Sequence, residues 1–302
     1  MADLGFWRLA EADPERVALV GPDGEERTAG ELVGRANQIA KGLRALGLSK
    51  GDTVAVLMPN SVEMLETYLG AMQVGLYFTP INFHLVGPEV AYIVKDSDAK
   101  VFVSHERFAQ AAQDAAAEVD FPADHRFAVG DVAGFRPFSE LGGHETTDAP
   151  EGRTTGAPMH YTSGTTGRPK GVKRGLVEID PSDLGELMSG FMGIFGITVL
   201  DGNVHITGSP LYHTAVLMWT ANSMHMGHSV VLMDKWTGEG MLELIDKYKV
   251  TTSHMVPTQF VRLLDIAEDT RAKYDVSSLR HMVHAAAPCP PEIKRRMIGW
   301  WG

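Results

Sequence analysis

The chain has little of several things, and each lack narrows what it can do. One cysteine in 302 residues, Cys289, can close no internal disulfide and build no cluster of thiolate ligands. A reducing compartment suits it. No apolar run looks able to span a membrane: the longest stretch free of Lys, Arg, Asp and Glu, between Asp201 and Asp234, carries His205, Pro210, His213, Asn222, His225 and His228. The opening MADLGFWRLAEADPER puts acids where a signal peptide has a basic region and an apolar core, so a cytoplasmic protein is expected. Basic excess is missing too. A formal net charge of −11 argues against nonspecific nucleic-acid binding.

The charge is unevenly spread. Residues 1–150 hold 12 Lys/Arg against 23 Asp/Glu, whereas residues 151–302 hold 15 of each. In the second half four cations crowd together: Arg168, Lys170, Lys173 and Arg174. They form either a solvated basic turn or the surround of an anion. At 44% hydrophobic and 22% charged, the composition is that of a folded globular protein large enough to bury a core without staples.

Strand and helix signals alternate. Thr28 to Glu31 has capping-box spacing, followed by Leu32, Ala36, Ile39, Leu43 and Leu46 at helical intervals. An apolar strand follows at 53–58, then a helix from Asn60 or Ser61 to Gly75, a strand at 77–81, a helix opened by Pro88 and a strand at 100–104. After residue 200 the alternation resumes, with strands near 204–207, 229–233 and 280–285. Helices are expected after His213, through 241–248, from Pro257 and from about Pro291. Near-continuous apolar strands separated by single helices predict an α/β fold of mostly parallel sheets flanked by helices. Residues 142–158, rich in Gly, Thr and Pro and without apolar periodicity, read as a linker between two α/β subdomains.

The most informative segment is Tyr161-Thr-Ser-Gly-Thr-Thr-Gly-Arg-Pro-Lys-Gly-Val172. A short strand enters it at 159–162. Glycines let backbone N–H groups converge on an anion, hydroxyls add donors, and Lys170 adds a mobile positive charge. A flexible surface loop is the plain alternative, but the ordered spacing beside Arg168 suits an oligophosphate. It is not a Walker loop, because Pro169 stands where that pattern has its second glycine and Gly171 follows Lys170. Neither a Gly-x-Gly-x-x-Gly fingerprint nor a Gly-x-Ser-x-Gly elbow is present.

This segment closely resembles the phosphate loop of the AMP-forming adenylating enzymes, the superfamily of acyl-CoA synthetases, peptide-synthetase adenylation domains and firefly luciferase. Other landmarks fall in order around it. Residues 72–82, with Gly75, Pro80, Ile81 and Asn82, are similar to an upstream Gly-x-x-x-x-Pro-Ile/Leu-Asn segment. Pro210-Leu-Tyr-His213 resembles the segment beside the carboxylate site, and Val256-Pro257-Thr258 a helix start at the acyl pocket. Ala285, Ala286, Ala287 and Pro288 stand where the family has its adenine wall.

The resemblance implies the large N-terminal domain of the adenylate-forming fold, covering 1–302, with the C-terminal domain absent. It implies two steps: a carboxylate attacks the α-phosphate of Mg²⁺·ATP, and a thiol, usually coenzyme A, then displaces AMP. By position, Thr162, Ser163, Gly164, Thr165, Thr166, Gly167 and Lys170 would hold the phosphates, and His213 would orient the carboxylate; a core histidine at a helix start is the alternative. No metal ligand is assigned within the chain. The family's Tyr-Gly-x-Thr-Glu motif, whose glutamate helps hold Mg²⁺, its ribose-binding aspartate and its C-terminal lysine are not in this sequence, so a weakly active fragment is expected. Ten of the fifteen methionines follow residue 180, among them Met188, Met192, Met218, Met224, Met226 and Met233, and with the apolar stretch 187–200 they could line an acyl channel. That favours a fatty acid, with an aryl or steroid-like acid next and a non-catalytic adenylate-binding module as the reading from another class. Where some long-chain members carry a gating tryptophan, this chain has Leu217, with Trp219 two residues on. The pairs His225/His228 and His281/His284 have His-x-x-His spacing but no neighbouring third ligand, so structural roles are expected. Peripheral membrane contact and a homodimer stay open.

Overall fold

The computed structural model describes residues 4–162, 169–285 and 287–302. The chain divides into two compact units, residues 30–184 and residues 1–29 with 185–302. Each is built on a six-stranded sheet, and the expected α/β class with mostly parallel sheets holds in both.

In the 30–184 unit the strand order is Arg136–Pro137, Arg126–Val129, Ala99–His105, Thr53–Leu57, Tyr77–Pro80 and Ala157–Pro158, every pair parallel. Thr53–Leu57 is buried along its whole length, as a central parallel strand covered on both faces must be. The helix Val62–Met72 starts where Ser61 accepts a hydrogen bond from the Met64 N–H at 3.2 Å. In Gly87–Asp96 the Glu89 carboxylate accepts from the Val86 N–H, with Pro88 in the first turn. The helix Ala109–Glu118 packs Ala112, Ala115 and Ala116 with Ala55, Val90 and Phe102.

Residues 142–158 are not a linker at the division between units. They lie inside the 30–184 unit, and the chain passes between units at 29/30 and 184/185. The stretch ends in the sheet strand Ala157–Pro158, and ahead of it, between residues 145 and 152, backbone carbonyls are paired by side chains of the helix Ala29–Ala45. Asn37 donates to Thr147 O at 2.7 Å, Gln38 to Glu145 O at 3.0 Å, Lys41 to Thr146 O at 3.1 Å and Arg44 to Gly152 O at 3.1 Å. Gly142, at φ +72°, passes so close to that helix that a Cβ would lie 1.9 Å from Gln38 O.

In the other unit the order is His281–His284, Thr252–Met255, Val204–Thr207, Ser229–Leu232, Val17–Val20 and Glu26–Thr28, parallel except for the last pair. Its core joins Ile206, Val231, Met241, Ile245, Met255, Phe260 and Leu263. The helix Phe6–Ala12, which periodicity does not announce, buries Phe6 and Trp7; the Phe6 N–H donates to His225 Nδ1 at 3.1 Å. No described helix is long and apolar enough to cross a membrane.

Candidate functional site

Two places hold the residues that the sequence singles out. In the 30–184 unit, His160–Thr162 and Lys170–Val172 pair antiparallel, with Thr162 opposite Lys170 and Tyr161 opposite Gly171. Ser163, Gly164, Thr165, Thr166, Gly167 and Arg168 lie outside the described residues. The pairing puts an exposed hydroxyl and an exposed ammonium side by side where the chain leaves and re-enters the hairpin.

The hairpin is anchored from beneath. Tyr161 OH donates to Asp96 Oδ2 at 2.6 Å, and Tyr92 OH to Pro169 O at 3.0 Å; Tyr92 and Asp96 both belong to Gly87–Asp96. Burial first, then the Asp96 bond, raises the Tyr161 phenol above its ordinary pKa, so it stays a donor. Gly171 explains itself by space: a Cβ there would meet Met159 Cε at 2.4 Å and Tyr161 Cζ at 2.9 Å. Of the other cations, Lys173 sits 4.5 Å above the Tyr77 ring, and the Arg174 carbonyl accepts from Tyr77 OH.

The second place is a cavity of about 600 Å³ in the other unit. It opens beyond the C-terminal ends of Val204–Thr207, Ser229–Leu232 and Thr252–Met255, where open parallel sheets take their ligands. Pro210, His213, Val256 and Thr258 all line it, so two separate landmarks of the resemblance meet on one wall. His213 is the N-cap of the helix Thr214–His225 and is exposed. Thr214, Ala215 and Val216, the first turn, also line the cavity. Unsatisfied N–H groups and the positive end of a twelve-residue helix suit a carboxylate.

Gln259 stiffens the opposite wall. Its Oε1 accepts from the Val256 N–H at 3.0 Å, fixing the start of Pro257–Leu264, and from Ser209 Oγ at 3.4 Å, tying that start to the neighbouring strand's exit. Ala285 follows the strand His281–His284 and donates its N–H to Met255 O at 3.3 Å; Ala287 and Pro288 are exposed, and Ala286 lies outside the described residues.

The methionines expected to line an acyl channel do not line this cavity. Met192 and Met226 pack with Ile197 and Trp219, while Met224 and Met233 are buried in the interior. Flexible thioethers fill core gaps here. Leu217 is buried, and Trp219 stands between Phe195 and His254. Sequence reasoning missed His254, Gln259 and Trp236 in the lining; a polar strand followed directly by a Pro-led helix was the available signal.

Among the described residues no group of three or more His, Cys, Asp and Glu is placed to hold a metal. His228 Nε2 pairs with Thr198 O at 2.7 Å and His281 Nε2 with Gly196 O at 2.9 Å. The His284 ring meets Phe260 edge-on, and Cys289 is half-buried against the core.

The α/β fold, with a cavity at the strand ends of one sheet and, in the other unit, a hairpin presenting Thr162 and Lys170, is that of a solved N-terminal domain. The chain belongs to the AMP-binding enzyme family, whose model matches residues 6–302. It is 31% identical over 98% of its length to a feruloyl-CoA synthase of Amycolatopsis sp, of which it covers 56%. It is 30% identical over 97% of its length to the long-chain-fatty-acid–CoA ligase FadD13 of Mycobacterium tuberculosis, of which it covers 57%. The chain thus spans about half the length of these curated relatives. Among solved structures, the inhibitor-bound N-terminal domain of FACL13 from Mycobacterium tuberculosis superposes with a TM-score of 0.76 at 26% identity, over 97% of this chain and 72% of that one.

Proposed function

We propose that the protein containing this chain activates a hydrophobic carboxylic acid with ATP and transfers the acyl group to coenzyme A. A carboxylate oxygen bonds to the α-phosphorus as the bond to pyrophosphate breaks, giving an acyl-adenylate. The thiol sulfur then bonds to the acyl carbon and AMP leaves, while the thiol proton passes to solvent. Thr162, Ser163, Gly164, Thr165, Thr166, Gly167 and Lys170 hold the departing pyrophosphate, a set of hydroxyls, N–H donors and one cation suited to developing phosphate charge. His213 and the first turn of Thr214–His225 orient the carboxylate, and Ala285, Ala286, Ala287 and Pro288 flank the adenine. Mg²⁺ shields the triphosphate when bound, and none of these residues is assigned to it.

The observation that carries this reading is the convergence of Pro210, His213, Val256 and Thr258 on one cavity beside a helix N-terminus. A fatty acid is the first choice of substrate; the feruloyl-CoA synthase relative gives an aryl acid comparable support. Acid-dependent ATP–pyrophosphate exchange, run from acetate to long-chain fatty acids and cinnamate, tests it. Exchange with hydrophobic acids and none with acetate is expected. An ATP affinity unchanged by Lys170→Ala would overturn the phosphate-site assignment.

A further inference from the structure

One side chain of the cavity wall has no task in that reaction. His254 lies in the strand Thr252–Met255 and is 6% exposed, yet among the described residues neither Nδ1 nor Nε2 has a hydrogen-bond partner. Its ring stacks on Trp219, centroids 5.9 Å apart and planes at 13°. Trp219, only 4% exposed, is backed by Phe195 at 5.1 Å and Phe191 at 6.0 Å. A ring held against this aromatic stack cannot turn away to find a partner elsewhere.

Burial, with His284 adding a smaller effect, pulls the His254 imidazole below its ordinary pKa. Near neutral pH the ring is therefore uncharged, with one N–H donor and one lone-pair acceptor. A buried donor and acceptor left unpaired are costly, and a leucine would fill the same wall with nothing to satisfy. An uncharged imidazole is also a weak partner for the carboxylate, which the first turn of Thr214–His225 serves better.

We infer that His254 is a specificity-determining residue that reads a hydroxyl or carbonyl oxygen on the acyl portion of the acid. The inference rests on the proposed function, because it assigns this cavity to the acyl group. A hydroxyl can donate to the ring nitrogen that carries the lone pair or accept from the ring N–H, so either tautomer serves it without a turn of the ring. A plain hydrocarbon chain covers the ring and leaves it unpaired, a discrimination of roughly ten- to a hundredfold.

The test is calorimetric titration of the full chain, in the presence of AMP, with two matched pairs: cinnamate against 4-hydroxycinnamate, and dodecanoate against 12-hydroxydodecanoate. His254→Leu and His254→Gln are titrated alongside, and His254→Phe, which keeps the stack on Trp219, replaces the leucine variant if that fails to fold. At least one hydroxylated acid should bind tenfold or more tightly than its parent, with the preference lost in His254→Leu and retained in His254→Gln. Equal affinity within both pairs, or a preference that survives in His254→Leu, overturns the inference and leaves the proposed function standing. No binding by any of the four acids overturns the proposed function itself, and this inference with it.

Discussion

The two six-stranded sheets share a parallel architecture and differ in what they bury. The sheet around Thr53–Leu57 buries mainly apolar side chains, with Val54, Val56, Phe78, Phe102 and Val103 at its centre and only the small hydroxyls of Thr53, Thr79 and Ser104 among them. The sheet around Val204–Thr207 buries His205, Thr207, Thr252, Ser253 and His254. Most of these are paired: His205 Nδ1 with Thr252 Oγ1 at 3.0 Å, Thr207 with Thr220 at 2.7 Å, Ser253 with Ile206 O at 3.2 Å. The one left over, His254, faces the cavity. One sheet is a scaffold held mainly by apolar burial; the other gives up more apolar area, to histidines as well as hydroxyls, for a polar network that sets where groups point.

The comparison breaks most readily at the scaffold. Phe102 is fully buried and meets Phe121 and Phe135 edge-on, so Phe102→Ala should cost about 3–5 kcal/mol in denaturant unfolding. Should Thr252→Val, which breaks the His205 pair in the other sheet, cost more, the contrast between the sheets is wrong. Lys170→Ala should weaken ATP binding by about 1.5–3 kcal/mol, the usual worth of a charged hydrogen bond, and leave the unfolding midpoint in place.

Acid should distinguish the sheets more finely. Burial, then the nearby His228 and His254, pushes His205 down to about 3, and burial pushes His225 down to about 4. The unfolded imidazole titrates near ~6.5. Between those values the unfolded chain takes up protons that the native state refuses. The stability from each group is therefore whole above the unfolded pKa and is lost as pH falls, at up to about 1.4 kcal/mol per pH unit each. Hydrogen exchange at pH 5 against pH 7 should show protection falling first in Val204–Thr207, the strand that carries His205, and last in Thr53–Leu57. Uniform loss would contradict the assignment. The smallest effect belongs to Cys289→Ala, which should shift stability by no more than about 0.5 kcal/mol and leave ATP affinity unchanged.

The same contrast governs what can be read from the chain. Thr53–Leu57, Tyr77–Pro80 and Ala99–His105 are legible because apolar runs bounded by turn signals announce central parallel strands. Thr252–Met255 is not, since three of its four residues are polar and only its neighbours make it interior. Ala109–Glu118 lacks large apolar residues at helical spacing, and Pro181–Gly193 is interrupted by glycines. Residues 142–158 look like a linker because their partners, Asn37 to Arg44, lie more than a hundred positions away. Within the site, His213 is legible through the Pro-Leu-Tyr-His segment and the helix that follows it. His254 has no such signature, and its interest arises only from the stack on Trp219 and the cavity it faces.

The central claim is that this chain holds an adenylate joined to a hydrophobic acyl group. Titration with non-hydrolysable acyl sulfamoyladenosines, cinnamoyl and dodecanoyl, tests it most directly, because such analogues engage nucleotide and acyl contacts together. Binding of at least one analogue on the order of a hundredfold tighter than AMP, and weakened by His213→Ala, is the expected result. Analogues that bind no tighter than AMP would contradict the account.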